Sequence, residues 1–524
     1  MPRYSYDRLS AQDNSFLLFE QPGLYMHVSS TQIFELGPLE TSEGGVDFEQ
    51  IKRFIASILH RIPRYRQKLQ WIPYENTPVW VDDPDFELEY HVRHSGLPRP
   101  GSEQQLKKLS GRLMAQHLDR ARPMWEMTVV EGLEGGRFAV ITKIHHCMID
   151  GSSGVDISQI LQSPSPDHHI DENPPAFIPR PAPTGRELAM DSLSDRLRLP
   201  LRAVRGFREF RRETENLREE ISVRARAVRN TMVAQNQPSS QTPVNGEIGP
   251  HRAFDWYTTP LQDVKALRRA LECTVNDVVL TIVTSTFREY LKRRLVDPAE
   301  LDFRVQAPVS VRRDEDRGKM GNRVSAWLLR LPLEEADPLD QLAKVRETTL
   351  KLKESQQALG VDTMMSIMEV MPSSLLSLGA RSASGSVNTI VTNVPGPQFP
   401  LYLLGAELRE MYPQVPLLQN VGIGIALISY NGRIHWGFNA DPQYLPDLAT
   451  FVELVAHSVE QLAAAAQVKL TPPEAGGLRQ AQAEGKAPRK TAKPAKARRE
   501  APKKASKKAP QKPPGDASPP EAAG

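Results

Sequence analysis

Two histidines stand side by side at His145 and His146, and Asp150-Gly151 follows, with Asp150 four residues past the second histidine. Histidine is the side chain whose ordinary pKa, ~6.5, lies near neutrality. A neutral imidazole can take a proton from a hydroxyl as that hydroxyl attacks a carbonyl, then return it to the leaving group. General base catalysis of this kind is worth on the order of 10²–10⁴-fold. If the carbonyl belongs to a thioester, the acyl donor is already reactive and no serine nucleophile is required. The run from Arg137 to His146 is rich in Val, Ile and Thr and reads as a strand. Neighbours on a strand face opposite sides. Phe138, Val140, Thr142, Ile144 and His146 then share one face, and Ala139, Ile141, Lys143 and His145 the other. Only one histidine can address a given site. Asp150-Gly151 is a turn signal that ends the strand, and it lets Asp150 fold back onto an arginine or a backbone N–H.

Other chemistries fit these residues less well. A single buried histidine is usually structural, but an adjacent pair ahead of Asp-Gly is harder to explain by packing. Zinc needs three or four ligands at helical or Cys-x-x-Cys spacing, and none is visible, so no metal is expected. Cys147 is next to His146, but strand neighbours face apart, so the pair makes a poor thiol nucleophile and base. Cys147 reads instead as a small apolar filler. His168-His169 lies in a polar, proline-flanked stretch and is given no role.

Several elements must position this motif. Phe48, Ile51, Phe54, Ile55 and Ile58 recur at helical spacing, predicting a helix over Phe48–Ile62, and Gln104–His117 predicts another. Met124–Glu131 and Arg137–His146 predict a hairpin around Gly132, Gly135 and Gly136. In the second half, Val275–Leu291 predicts a long helix, followed by a strand at Phe303–Val309. Val421–Tyr430 and Arg433–Phe438 flank Asn431-Gly432, the strongest hairpin signal in the chain, because Asn-Gly accepts the positive φ of a type I′ turn. Pro446 and Asp447 open a last amphipathic helix through Leu462.

The chain has 524 residues and only two cysteines, Cys147 and Cys273. A disulfide framework is not implied. No run of ~18 apolar residues predicts a membrane span, and the N-terminus carries no apolar signal core. The expected location is cytoplasmic. The net charge of +3 divides unevenly: Leu478–Gly524 has 13 Lys/Arg against 4 Asp/Glu, and the remainder is mildly acidic. The expected organisation is an N-terminal domain at 1–185 and a linker with an Arg-rich helix at 186–250. A C-terminal domain at 251–470 and a tail at 471–524 follow. The tail is Ala, Lys and Pro with almost no large apolar residues, a composition that predicts disorder. Its basic charge would draw it to anionic lipid or nucleic acid. The Arg-rich segment Arg196–Arg229 reads as a solvated inter-domain helix, with a membrane-surface amphipathic helix as the alternative.

His145-His146-Cys147-Met148-Ile149-Asp150-Gly151 resembles the His-His-x-x-x-Asp-Gly motif of CoA-dependent acyltransferases, which condensation domains of peptide synthetases share. Further stretches resemble the bacterial wax ester synthase/diacylglycerol acyltransferases. These are Pro123-Met124-Trp125, Val275-Asn276-Asp277-Val278-Val279-Leu280, Pro308-Val309-Ser310-Val311-Arg312, Gly321-Asn322-Arg323-Val324-Ser325, Asn393-Val394-Pro395-Gly396-Pro397 and Ser429-Tyr430-Asn431-Gly432. The likeness runs from about Leu9 to Leu462. Met124 stands where the family has leucine, a volume-conserving change, and the basic tail lies outside the family pattern.

The resemblance implies an α/β (α+β) fold of two similar halves like chloramphenicol acetyltransferase, with the active site in a channel between them. It implies His146 as the general base, His145 in support, and Asp150 as a structural residue beside Gly151. Acyl-CoA would be the donor, and diacylglycerol or a long-chain alcohol the acceptor, giving triacylglycerol or wax ester. No cofactor is expected beyond acyl-CoA as substrate. A carrier-protein thioester donor is the alternative. Lipid substrates imply peripheral contact with the inner face of the plasma membrane or with lipid bodies. Read from the residues themselves, Thr274 and Asp277 form a capping-box pattern, which gives Asp277 a structural role. Asn276 is then freer to donate to an oxyanion. Trp125 reads as core packing beside Pro123. Asn393, Pro395 and Gly396 form a rigid turn that could shape the channel.

Overall fold

The computed structural model describes residues 6–75, 77–148, 160–194, 238–310, 324–354 and 384–472. Asp150, Gly151, Arg312, residues 321–323, the Arg-rich segment 196–229 and the tail beyond 472 lie outside the described residues.

Two six-stranded mixed sheets form the frame. The first runs in the order Tyr402–Leu403, Ala406–Gln414, His27–Glu35, Arg137–His145, Trp125–Leu133, Val92–Gly96. The second runs Val324–Leu331, Phe303–Ser310, Thr389–Pro395, Ile423–Tyr430, Arg433–Ala440, Ala253–Pro260. Val92–Gly96 lies parallel to its neighbour, and Thr389–Pro395 lies parallel to both of its own. The remaining pairs in these two sheets are antiparallel. A small three-stranded sheet, Asp7–Arg8, Pro78–Asp82 and Gln67–Trp71, stands apart.

Each large sheet is covered by helices whose apolar stripes the sequence marks. Phe48–Ile58 is capped by Asp47, whose side chain accepts from Gln50 N, and it buries Ile51, Ile55 and Ile58. These pack with Phe34, Phe138, Val140 and Trp125 in the first core. Val275–Arg293 starts at a complete Thr274–Asp277 capping box and is buried along much of its length. Val279, Ile282, Val283 and Phe287 pack against Ile425, Leu427, Trp436 and Phe438, with Phe451 and Val455 of the helix Leu448–Ala465. Each buried aromatic removes roughly 150–250 Å² from water, a gross gain of about 4–6 kcal/mol. The hairpin turn has Asn431 at φ 43° and Gly432 at φ 78°, the conformation that selects Asn-Gly.

The predicted elements appear with small shifts at their ends, and two differences bear on the site. The strand expected to reach His146 stops at His145, and His146–Met148 is a turn of 3-10 helix. The two sheets also do not divide where the sequence changes character. Tyr402–Leu403 and Ala406–Gln414 lie in the range assigned to the C-terminal half, yet they complete the first sheet beside His27–Glu35. The stretch before Pro250, expected as linker, is folded into the second half from residue 238 on. Val244 is buried, and Asn245 Nδ2 donates to the carbonyls of Asn388 and Asn420. Turn-rich composition marks where polar side chains serve backbone groups, and here those backbone groups are buried.

The crossover welds the halves together. A third apolar cluster joins Ile33, Leu106, Val130 and Ile141 of the first half to Phe254, Trp256 and Tyr412. Trp256 stacks on Tyr412 with centroids 4.5 Å apart. Lys107 Nζ meets Asp255 at 2.5 Å beside the same ring. Among the described residues, no single helix is long and apolar enough to cross a membrane.

Candidate active site

Strand alternation ends by splitting the two histidines. His145 is cross-strand from His27, on the face where Ile141 joins the inter-half cluster. His146, one residue later, begins the 3-10 turn, and its ring lies on Phe16 of the helix Ala11–Phe19. The two centroids are 3.8 Å apart and the planes 21° apart. His146 is partly buried. Its Nδ1 is buried without a partner from another residue. Burial disfavours the imidazolium and lowers the pKa of His146 to about 4, so the ring is neutral at pH 7.

The turn is held on both sides. His146 N–H donates to Met26 O at 2.8 Å. Cys147 N–H donates to His145 Nδ1 at 3.1 Å. Because Nδ1 accepts there, the proton of a neutral His145 ring sits on Nε2. That atom stands 3.1 Å from Glu20 Oε1. Glu20 Oε1 also accepts from Met26 N–H at 2.9 Å, and Oε2 meets Arg120 at 2.5 Å. His27 Nε2 lies 3.7 Å from the same carboxylate. Burial alone would raise the pKa of Glu20, but His145 and Arg120 outweigh it and hold the carboxyl at about 2. Burial pushes the Cys147 thiol well above its usual value, so it is protonated and no nucleophile.

The asparagines form a second cluster. Asn393 Nδ2 donates to Asn276 Oδ1 at 2.9 Å, joining the end of the strand Thr389–Pro395 to the first turn of Val275–Arg293. Asn276 is exposed. Asp277 is buried and turned the other way. It accepts from Thr274 N–H at 2.9 Å and from Thr349 Oγ1 at 3.0 Å. Gly396 N–H donates to Ser429 Oγ at 3.2 Å, and an alanine Cβ there would come within 2.4 Å of Ser429 O. Pro395 is exposed at the strand's end. Pro123 is buried, and Trp125 is core: its Nε1 donates to Tyr65 O at 2.9 Å and its ring stacks on His91. Tyr430 OH donates to Leu408 O and accepts from Leu401 N–H, each at 2.8 Å, pinning the crossover segment to the second sheet.

The structure thus joins His146 to His145, and Asn276 to Asn393, as two clusters on separate elements. Sequence reading missed Phe16, Glu20, Met26, His27 and Arg120, which enclose the histidines. A lone glutamate after an apolar run carries no spacing signal, and only the pairing of His27 with His145 brings it near. Among the described residues, no group of three His, Cys, Asp or Glu could hold a metal ion.

Similarity to known proteins adds to this geometry. The sequence profile of the wax ester synthase/diacylglycerol acyltransferase catalytic domain matches residues 9–279, and that of the family's C-terminal domain matches 320–463. The probable diacylglycerol O-acyltransferase tgs1 of Mycobacterium tuberculosis H37Rv is 32% identical over 470 residues, covering 87% of this chain and 96% of its own. A putative diacylglycerol O-acyltransferase of Mycobacterium tuberculosis CDC 1551 is 30% identical, with 84% and 87% covered. Among solved structures, the wax ester synthase/diacylglycerol acyltransferase of Marinobacter aquaeolei VT8 matches with a TM-score of 0.61 at 23% identity, over 88% of this chain and 100% of that one. The starter condensation domain of rhizomide synthetase matches with a TM-score of 0.50 at 12% identity, over 89% and 98%. Both are likenesses of fold, and they carry the mixed α/β architecture of two similar halves.

Proposed function

The chain belongs to the wax ester synthase/diacylglycerol acyltransferase family, and from that premise we propose that His146 is the general base of acyl transfer from acyl-CoA to a lipid hydroxyl. The neutral ring takes the hydroxyl proton as the hydroxyl oxygen attacks the thioester carbonyl carbon. The carbonyl becomes an oxyanion. Its collapse breaks the carbon–sulfur bond, and the departing CoA sulfur takes the proton back from His146. The products are an ester and free CoA thiol.

The observation that carries this reading is the placement of His146: its ring lies on Phe16, its N–H donates to Met26 O, and the following N–H donates to His145 Nδ1. Burial there favours the neutral ring. A buried imidazolium is costly alone, but here it forms beside a developing oxyanion that offsets its charge. Asn276 is the proposed oxyanion donor. Its Oδ1 faces Asn393, so the NH₂ end of its amide points elsewhere. Asn393, Pro395 and Gly396 shape the channel wall in this reading, and Asp150 holds the turn after the motif.

Diacylglycerol is the favoured acceptor, because curated relatives that match 84–87% of this chain bear that name; a long-chain alcohol is the other. The halves expected at 1–185 and 251–470 are kept as a proposal, with the second beginning by residue 238 and the strands Tyr402–Leu403 and Ala406–Gln414 completing the first sheet. The enzyme works at a lipid surface as a peripheral protein, and the basic segment Leu478–Gly524 supports attachment to anionic lipid. A carrier-protein thioester donor has only the condensation-domain likeness in its favour.

The test is thiol release from palmitoyl-CoA with dioleoylglycerol or hexadecanol, for wild type and His146→Ala. Release that requires an acceptor and disappears in a folded His146→Ala protein is expected. Turnover preserved in that variant would remove His146 as the base.

A further inference from the structure

Two chains of contacts leave a single carboxylate and meet on either side of His146, one hydrogen-bonded throughout and the other beginning with the close approach of His145 Nε2 to Glu20 Oε1. From Glu20 Oε1, one runs through Met26. Met26 N–H donates to Glu20 at 2.9 Å, and Met26 O accepts from His146 N–H at 2.8 Å. The other runs through His145. Its Nε2 stands 3.1 Å from Glu20 Oε1, and its Nδ1 accepts from Cys147 N–H at 3.1 Å. The backbone N–H of His146 and the one after it are therefore both referred to one oxygen. Glu20 is the residue that ends the helix Ala11–Phe19, one turn beyond Phe16, whose ring lies on His146. Its side chain is 5% exposed, and that of His145 is 1% exposed. The contact is therefore buried, where solvent screens it little.

We propose that Glu20 is a positioning residue for acyl transfer, fixing the turn that carries His146 through Met26 on one side and His145 on the other. This rests on the reading of His146 as general base. The arrangement explains why the motif needs two adjacent histidines: the second meets the substrate and the first transmits the hold of the carboxylate. A base must be placed within a few tenths of an ångström of its proton, and a misplacement of about 1 Å can cost 10²-fold in rate.

The other oxygen of Glu20 supplies a control. Oε2 pairs with Arg120, whose NH2 also donates to Leu17 O at 3.3 Å; none of these bonds touches the His146 turn. If Glu20 served only to hold the N-terminal helix in place, removing either partner of the ion pair would have the same effect on turnover.

The experiment measures kcat and KM for palmitoyl-CoA with dioleoylglycerol on the full-length protein, for Glu20→Gln, Arg120→Leu and His146→Ala. Folding is checked by circular dichroism and thermal melting. In Glu20→Gln, kcat is expected to fall 10- to 100-fold with KM for acyl-CoA within twofold. In Arg120→Leu, the fall in kcat is expected to be at least fivefold smaller, even where the loss of melting temperature is equal. A folded Glu20→Gln with kcat within twofold of wild type overturns the proposal, and so do equal losses in the two variants. If Glu20→Gln does not fold, Glu20→Asp takes its place: it keeps the charge for Arg120, but its shorter arm cannot reach Met26 and His145 together. A comparable fall in kcat is then expected, and wild-type kcat overturns the proposal. Failure of the underlying reading looks different, because a folded His146→Ala would then keep its turnover whatever Glu20 does.

Discussion

The ring of Phe16 lies against the imidazole of His146, 3.8 Å between centroids and 21° between planes. The contact covers one face of the proposed base and leaves its edge to meet the substrate. Phe16→Leu keeps the apolar volume and removes the flat surface. Stability should change by less than about 1.5 kcal/mol, while kcat falls about threefold to tenfold because the ring gains rotational freedom. Stopped assays and chemical denaturation separate the two. Unchanged kcat would make the contact packing only.

The pH dependence of the rate follows from the same burial. With His146 as the proposed base the neutral form is the active one, and burial lowers its pKa from the usual 6.5 to about 4. Activity is therefore present above that value and lost as pH falls through it. kcat/KM measured over short exposures should stay flat from pH 8 to about 5, with an acid limb centred near 4. An acid limb centred at 6.5 would mean that the ring titrates as if exposed.

Stability should also fall as the medium becomes acid. His146, at about 4, and His435, held down to about 3 by burial, are both more basic in the unfolded chain. A depressed histidine contributes stability that is whole above the unfolded pKa and lost as pH falls below it. The melting temperature should drop between pH 6.5 and 4, and His435→Gln should flatten that slope. An unaltered slope in the variant would assign the loss to other groups.

Asn276 and Asp277 are neighbours with separable tasks. Asp277→Ala removes the capping box and one of the two acceptors of the Thr349 hydroxyl, the other being Arg346 O. It should cost about 1–3 kcal/mol of stability with little change in kcat. Asn276→Ala, at an exposed first-turn position, should leave stability within about 0.5 kcal/mol. If its amide serves the oxyanion, kcat falls on the order of 10²-fold. The same variants measured by denaturation and by thiol release decide both, and the reverse pattern would exchange the roles.

The crossover gives a prediction about packing. An alanine Cβ at Gly437 would stand 1.9 Å from Pro413 O, because the strand Arg433–Ala440 passes directly over Ala406–Gln414. Gly437→Ala should destabilise the protein by about 3 kcal/mol, read as a shifted denaturation midpoint. A silent substitution would mean that the two sheets can slide apart at this point without penalty.

Much of this protein could be read along the chain, because the signals involved are local. Ile51, Ile55 and Ile58 define a helical stripe whatever surrounds them. Asn431-Gly432 sets a turn from its own backbone preferences, and Thr274 with Asp277 caps a helix within one turn. The pair His145-His146 pointed to base chemistry through residue type and spacing alone, and the end of the strand at His145 separates the two rings. Other features depended on which distant segments meet. Nothing local marks Glu20, since its meaning comes from His27–Glu35 pairing with Arg137–His145 and from a helix ending beside that pair. Nothing local sends Ala406–Gln414 to the first sheet, because a strand's partner is chosen by the edge that accepts its hydrogen bonds and by the apolar face it can cover. Sequence determined the elements and marked the histidine proposed as base; the tertiary structure decided which carboxylate lies beside its neighbour His145, and which half of the chain completes the sheet that His145 ends.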